Sequence, residues 1–148
     1  MDDRPSVLFL CTGNSCRSQM AEGWLRHLAG DRLRVYSAGT RPAGVHPRAI
    51  AVMAEVGVDI SGHTSDLAER YTRKEIALVV TVCGRAAADC PTWHAAERIE
   101  HWPFEDPVGA TGTEAEVLGE FRRVRDQIRA RIETWLASEG LRGSAPAQ

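Results

Sequence analysis

Lysine is almost missing from this chain of 148 residues: Lys74 is the only one, and arginine carries the rest of the basic charge. The formal net charge is only -2, so no broad basic surface for nucleic acid is implied. No apolar stretch approaches the ~20 residues needed to cross a bilayer, so no membrane span is expected. The polar start, residues 1–6, and the brevity of the apolar run 7–10 give no secretory signal. The chain is therefore expected in the cytoplasm. There the four cysteines point to catalysis or metal binding rather than to structural disulfides. Internal repeats and low-complexity tracts are absent. What remains is one soluble domain, expected over residues 1–139, with a frayed tail over 140–148.

Residues 7–10 form a short apolar run, read as a buried strand, and lead directly into the small polar loop CTGNSCRS. A helix is expected from about residue 15 to 29, its apolar Met20, Ala21, Trp24, Leu25 and Leu28 at helical spacing and Gly30 at its end. Residues 33–37 read as a second strand, 39–47 as a loop rich in glycine and proline, and 47–56 as a helix stopped near Gly57. The run IALVVTVC, residues 76–83, is β-branched, continuous and expected at the sheet centre. A short alanine-rich segment, 84–89, ends at Pro91, and 98–102 reads as a last strand. Residues 114–137 carry a helical stripe of Val117, Phe121, Val124, Ile128, Ile132 and Trp135. Alternating strands and helices predict an α/β fold with a parallel sheet, whose ligands bind at the carboxyl ends of the strands.

The loop between the first strand and the first helix stands at that end. Its residues Thr12, Gly13, Asn14, Ser15, Cys16, Arg17 and Ser18 can curl around a tetrahedral oxyanion, with backbone N–H groups pointing inward and the helix dipole adding positive potential. Gly13 permits a positive φ in the curl. Arg17 can pair with two ligand oxygens at once. The same field acts on Cys11, since helix N-termini and nearby arginines draw a thiol from ~8.5 toward ~3.5–7.5. Ser18 is placed to donate a hydrogen bond to the thiolate. The plain alternative is a buried strand-end cysteine beside a surface arginine.

Cys83 ends the central strand, on the same edge as Cys11, and Cys90 follows seven residues later. If the intervening segment is helical, the two lie about 10.5 Å apart along its axis. A disulfide needs Cα atoms within about 7 Å, so a Cys83–Cys90 bridge requires the segment to unwind. The alternatives are two small buried residues, or zinc ligands, although the six-residue gap is wider than usual zinc spacing. Cys16 either forms a protective disulfide with Cys11 or fills space.

The loop CTGNSCRSQMAEGW resembles that of the low-molecular-weight tyrosine phosphatase superfamily and, within it, the thioredoxin-coupled arsenate reductases. The similarity continues through SAGT, HPRAI, ISGHTSDL, LVVTVC, DCP, HW and EDP. It implies a four-stranded parallel sheet flanked by helices on both faces, in a monomer without a tightly bound cofactor. It also implies a reaction: Cys11 attacks arsenate, Cys83 attacks the Cys11 sulfur as arsenite leaves, Cys90 resolves that disulfide, and thioredoxin or a similar dithiol protein regenerates the enzyme. Asp106, in WPFEDPV, matches the superfamily's general-acid position, with Glu105 as the fallback; a turn-forming aspartate before Pro107 is the plainer reading. Asn14, Glu22, Ser37 and Asp66 match positions that bind potassium in some such reductases, with His63 beside them; ordinary helix and loop hydrogen bonding is the alternative. The rival activity is phosphoester hydrolysis, which needs neither Cys83 nor Cys90. Residues 107–109 also lack the aromatic wall usual in the phosphatases. Weak phosphatase action remains as a side reaction.

Overall fold

The structure is a computed structural model and describes residues 4–72, 74–83 and 96–140. Four strands, β1 (Ser6–Cys11), β2 (Arg34–Gly39), β3 (Ile76–Thr81) and β4 (Ala96–His101), make one sheet in the order β2-β1-β3-β4, all pairs parallel. The two continuous apolar runs thus take the centre. All six residues of β1 are buried, as a strand covered on both faces must be, whereas the charged β4 is mostly exposed at an edge. The central strand stops at Thr81, two residues short of Cys83, which lies just beyond the strand end.

Three α-helices are described: α1 (Arg17–Ala29), α2 (Pro47–Ala54) and α3 (Glu114–Ser138). The whole predicted stripe of α3 is buried. It starts on a reciprocal cap, in which Thr113 Oγ1 accepts from Glu116 N–H and Glu116 accepts from Thr113 N–H. Trp24 Nε1 donates to the Arg125 carbonyl at 3.1 Å, tying α1 to α3. Gly23 lets α1 approach the 58–60 segment, because a Cβ there would lie 2.7 Å from Ile60 Cγ2. Gly30 does end α1, but with φ -65, in the right-handed region rather than the left-handed one that glycine caps favour.

On β2, Ser37 faces α1 through Glu22, while its neighbour Tyr36 stacks on Tyr71 of a short 3-10 helix, Ala68–Tyr71. Successive strand residues face opposite ways, so these contacts place cover on both sides of the sheet. Among the described residues no helix is long and apolar enough to cross a membrane. The expected segment 84–89, Cys90 and the tail beyond 140 lie outside the described residues.

Candidate active site

Cys11 is the last residue of β1 and Arg17 the first of α1, so the loop between them spans a strand end and a helix start. Cys16 occupies the N-cap without a side-chain cap bond, which leaves the first amides of α1 to other partners. The loop carbonyls are bonded outward. Thr12 O accepts from Arg41 N–H, Gly13 O from Ala43 N–H and Ser15 O from His46 N–H, each at 2.8 Å. Asn14 O accepts from Ser65 Oγ at 2.9 Å and Gln19 Nε2 at 3.1 Å, and Cys16 O from Met20 N–H at 2.9 Å. With its carbonyls committed outside, the loop presents amide donors to its interior, the chemistry of an anion cradle.

The left-handed residue of the loop is Asn14, with φ 45, and not Gly13. Asparagine tolerates this region because its short side chain bonds locally. Here Asn14 Oδ1 accepts from Ser18 Oγ at 2.8 Å and from Gln19 Nε2 at 3.1 Å. Gly39, at the end of β2, is also required: a Cβ there would meet Thr12 O at 2.6 Å, Asn14 N at 2.8 Å and Cys11 O at 2.9 Å.

Cys11 Sγ lies 3.0 Å from Ser18 Oγ. One hydroxyl has one proton, so two arrangements alternate. With a thiol, the Cys11 S–H points to Ser18 and the Ser18 proton to Asn14 Oδ1. With a thiolate, Ser18 turns its proton to sulfur while Gln19 still serves Asn14. Cys83 Sγ sits 3.6 Å from Thr12 Oγ1, so the second sulfur reaches the residue next to the nucleophile. The Val82 N–H to Leu10 O bond fixes the backbone just before Cys83 alongside β1. The third thiol here, Cys16, is buried; burial pushes its pKa up, and the charges of Asp106 and Cys11 push it the same way. A thiol kept protonated is a poor nucleophile.

Arg17 ties the loop to the opposite rim. Its Nη1 donates to Phe104 O at 3.0 Å and its Nη2 lies 3.5 Å from Asp106 Oδ2. Asp106 Oδ1 accepts from Val108 N–H at 3.0 Å and caps the 3-10 turn Pro107–Gly109, as the turn-forming reading expects. Glu105 is instead held by Arg123 at 2.9 Å, over α3.

Three of the four residues matched to a cation site, Glu22, Ser37 and Asp66, line one cavity of about 250 Å³ beside His63. Asn14 does not line it. The carboxylates already face cations: Arg26 Nη2 lies 2.6 Å from Glu22 and Arg70 Nη1 3.3 Å from Asp66. Asn14's buried group without a partner among the described residues is Nδ2, an N–H donor that cannot ligate a cation. Glu22 and Asp66 thus stand in two ion pairs. Burial raises the Glu22 pKa above its usual range, opposed by the Ser37 hydrogen bond and Arg26. Burial lowers that of His63, whose Nδ1 bonds Gln19 Oε1 at 2.9 Å.

Gln19, Gly39, Ser65 and the 41–46 segment are the site residues that sequence reasoning missed. A polar residue on the buried stripe of a helix is the signal that marks Gln19; the others carry none that spacing reveals.

Residues 6–142 match the family described as low molecular weight phosphotyrosine protein phosphatase. An arsenate reductase of Halalkalibacterium halodurans is 50% identical over 129 residues, 87% of this chain and 93% of that protein. Among solved structures, an arsenate reductase in the phosphate binding state superposes with a TM-score of 0.78 at 42% identity, over 90% of this chain and 98% of that one. A thioredoxin-dependent arsenate reductase of Corynebacterium glutamicum superposes with a TM-score of 0.69 at 28% identity, over 93% of this chain and 62% of that one.

Proposed function

Because the chain belongs to the low molecular weight phosphotyrosine protein phosphatase family, and its relatives include arsenate reductases, we propose that it reduces arsenate to arsenite by a relay of three thiols. The observation that carries this reading is Cys83 Sγ at 3.6 Å from Thr12, beside the cradle of Cys11. A hydrolase has no use for a sulfur there.

Arsenate sits on the loop amides and Arg17, and the Cys11 thiolate attacks arsenic. A hydroxide leaves and takes a proton from Asp106, departing as water. The Cys83 thiolate then attacks the Cys11 sulfur. A Cys11–Cys83 disulfide forms, the S–As bond breaks, and its electron pair stays on arsenic, which falls from the pentavalent to the trivalent state and leaves as arsenite. Cys90 attacks the Cys83 sulfur and frees Cys11 as a thiolate. A dithiol protein of the thioredoxin kind reduces the Cys83–Cys90 bridge by the same exchange. The coupling to such a protein draws on the thioredoxin-dependent relative.

Weak phosphoester cleavage accompanies this activity, since phosphate and arsenate are near-isosteric and Cys11, Arg17 and Asp106 serve both. The test is a single turnover without reductant, followed by disulfide mapping. One arsenite per chain and a Cys83–Cys90 bridge are expected. Cys83→Ser stops arsenite release and spares phosphoester cleavage; the opposite pattern refutes the assignment.

A further inference from the structure

His46 is joined to the cradle by its backbone and to α2 by its ring. Its N–H donates to Ser15 O at 2.8 Å, holding the last of the outward-turned carbonyls before α1. Its Nδ1 accepts from Arg48 N–H at 3.1 Å, so the imidazole is the N-cap of α2. Its ring lies 5.2 Å from that of Phe121 on α3. An imidazole is an unusual N-cap, and it differs from asparagine or serine in one respect: the capping lone pair can be protonated. Nδ1 accepts here, so the neutral ring carries its proton on Nε2. A second proton has no place to go except Nδ1, where it abolishes the cap.

We propose that His46 is a positioning residue for the chemistry at Cys11: as a neutral imidazole it holds the start of α2, and through its own N–H the Ser15 side of the cradle, and its protonation releases both. This inference rests on the oxyanion-cradle reading of residues 11–18. The charged groups around the ring act as follows. Burial and Arg48 on α2 favour the neutral form, whereas Asp106 on the opposite rim favours the cation. Glu114 at the start of α3 is taken up by Arg48, at 2.7 and 3.0 Å. Phe121 brings no charge. The neutral form is thus the resting one, and the cation forms below the usual histidine range.

Sulfate is the probe that separates protein titration from substrate titration, because it stays a dianion throughout mildly acid and neutral pH. Its affinity is measured by calorimetry from pH 5 to 8 on the full chain and on two variants. Asparagine caps as well as any residue but does not titrate. In wild type, sulfate binding weakens as pH falls below the His46 pKa. His46→Asn binds like wild type at pH 8 and loses that acid weakening. His46→Ala binds severalfold more weakly at every pH. If His46→Asn keeps the wild-type acid weakening, or His46→Ala binds sulfate as wild type does, the proposal is overturned. Should His46→Ala fail to fold, His46→Asn still decides. Wild type that binds no sulfate at any pH overturns the cradle reading and this inference together.

Discussion

Thr12 Oγ1 and Cys83 Sγ stand 3.6 Å apart, a side-chain contact between the loop after β1 and the end of β3. In the proposed relay, a hydroxyl there donates to the Cys83 thiolate and steadies it before it attacks. Thr12→Val keeps the shape and removes the donor. At ~0.5–1.5 kcal/mol for such a bond, arsenite release in a single turnover slows roughly two- to tenfold. Rapid-quench measurement of arsenite checks this, and an unchanged rate removes Thr12 from the step.

Gly39 is predicted to be intolerant of a single methyl group. The three atoms that a Cβ would strike are all backbone atoms of the cradle, so no side chain can swing away. Gly39→Ala therefore displaces Thr12 and Asn14, and sulfate affinity and arsenate kcat/KM both fall tenfold or more. Retained tryptophan fluorescence would show that the fold survives; retained affinity would show that the loop has slack.

Asn14→Ala leaves a left-handed residue without the side chain that makes it tolerable, at a cost of about 1–2 kcal/mol, and removes the bonds from Ser18 and Gln19. Asn14→Gly restores the backbone freedom but not those bonds. Urea unfolding should rank wild type above glycine and glycine above alanine. Alanine equal to wild type contradicts the assignment of strain to this position.

The histidines set the sign of the pH dependence. Burial, chiefly, lowers the His63 pKa in the folded protein. Its contribution to stability is therefore complete above the unfolded value, about 6.5, and is lost as pH falls below it, because the unfolded chain takes the proton first. His46 acts in the same direction. Glu22 runs the other way: its folded pKa is raised, so its contribution is present in acid and lost as pH rises above about 4.5. Urea midpoints of His63→Gln should fall less between pH 8 and 5.5 than those of wild type. Parallel profiles would assign the dependence elsewhere.

The central strands and the α3 stripe were legible because burial on both faces, or on one stripe, leaves a local pattern. Two pairings within the motifs are also seen in space, Cys11 with Ser18 at 3.0 Å and Arg17 with Asp106 at 3.5 Å. The outward anchors were not legible. Arg41, Ala43, His46 and Ser65 lie tens of residues away from the carbonyls they hold, and three of them act through backbone N–H groups, which every sequence has. Asn14, rather than Gly13, takes the positive φ of the curl, supported by Ser18 and Gln19. Glu22 and Asp66, two residues of the potassium match, face Arg26 and Arg70, a pairing that residue identity alone does not reveal.

The outward turn of the carbonyls from 12 to 15 also bears on how the proposed turnover ends. A backbone ring that offers donors alone suits a charge-rich tetrahedral guest. Trivalent arsenic leaves as an uncharged triol, whose three hydroxyls want acceptors that this ring has spent elsewhere. In the proposed reaction the peptide orientation that suits the reactant therefore offers the product fewer hydrogen-bond partners.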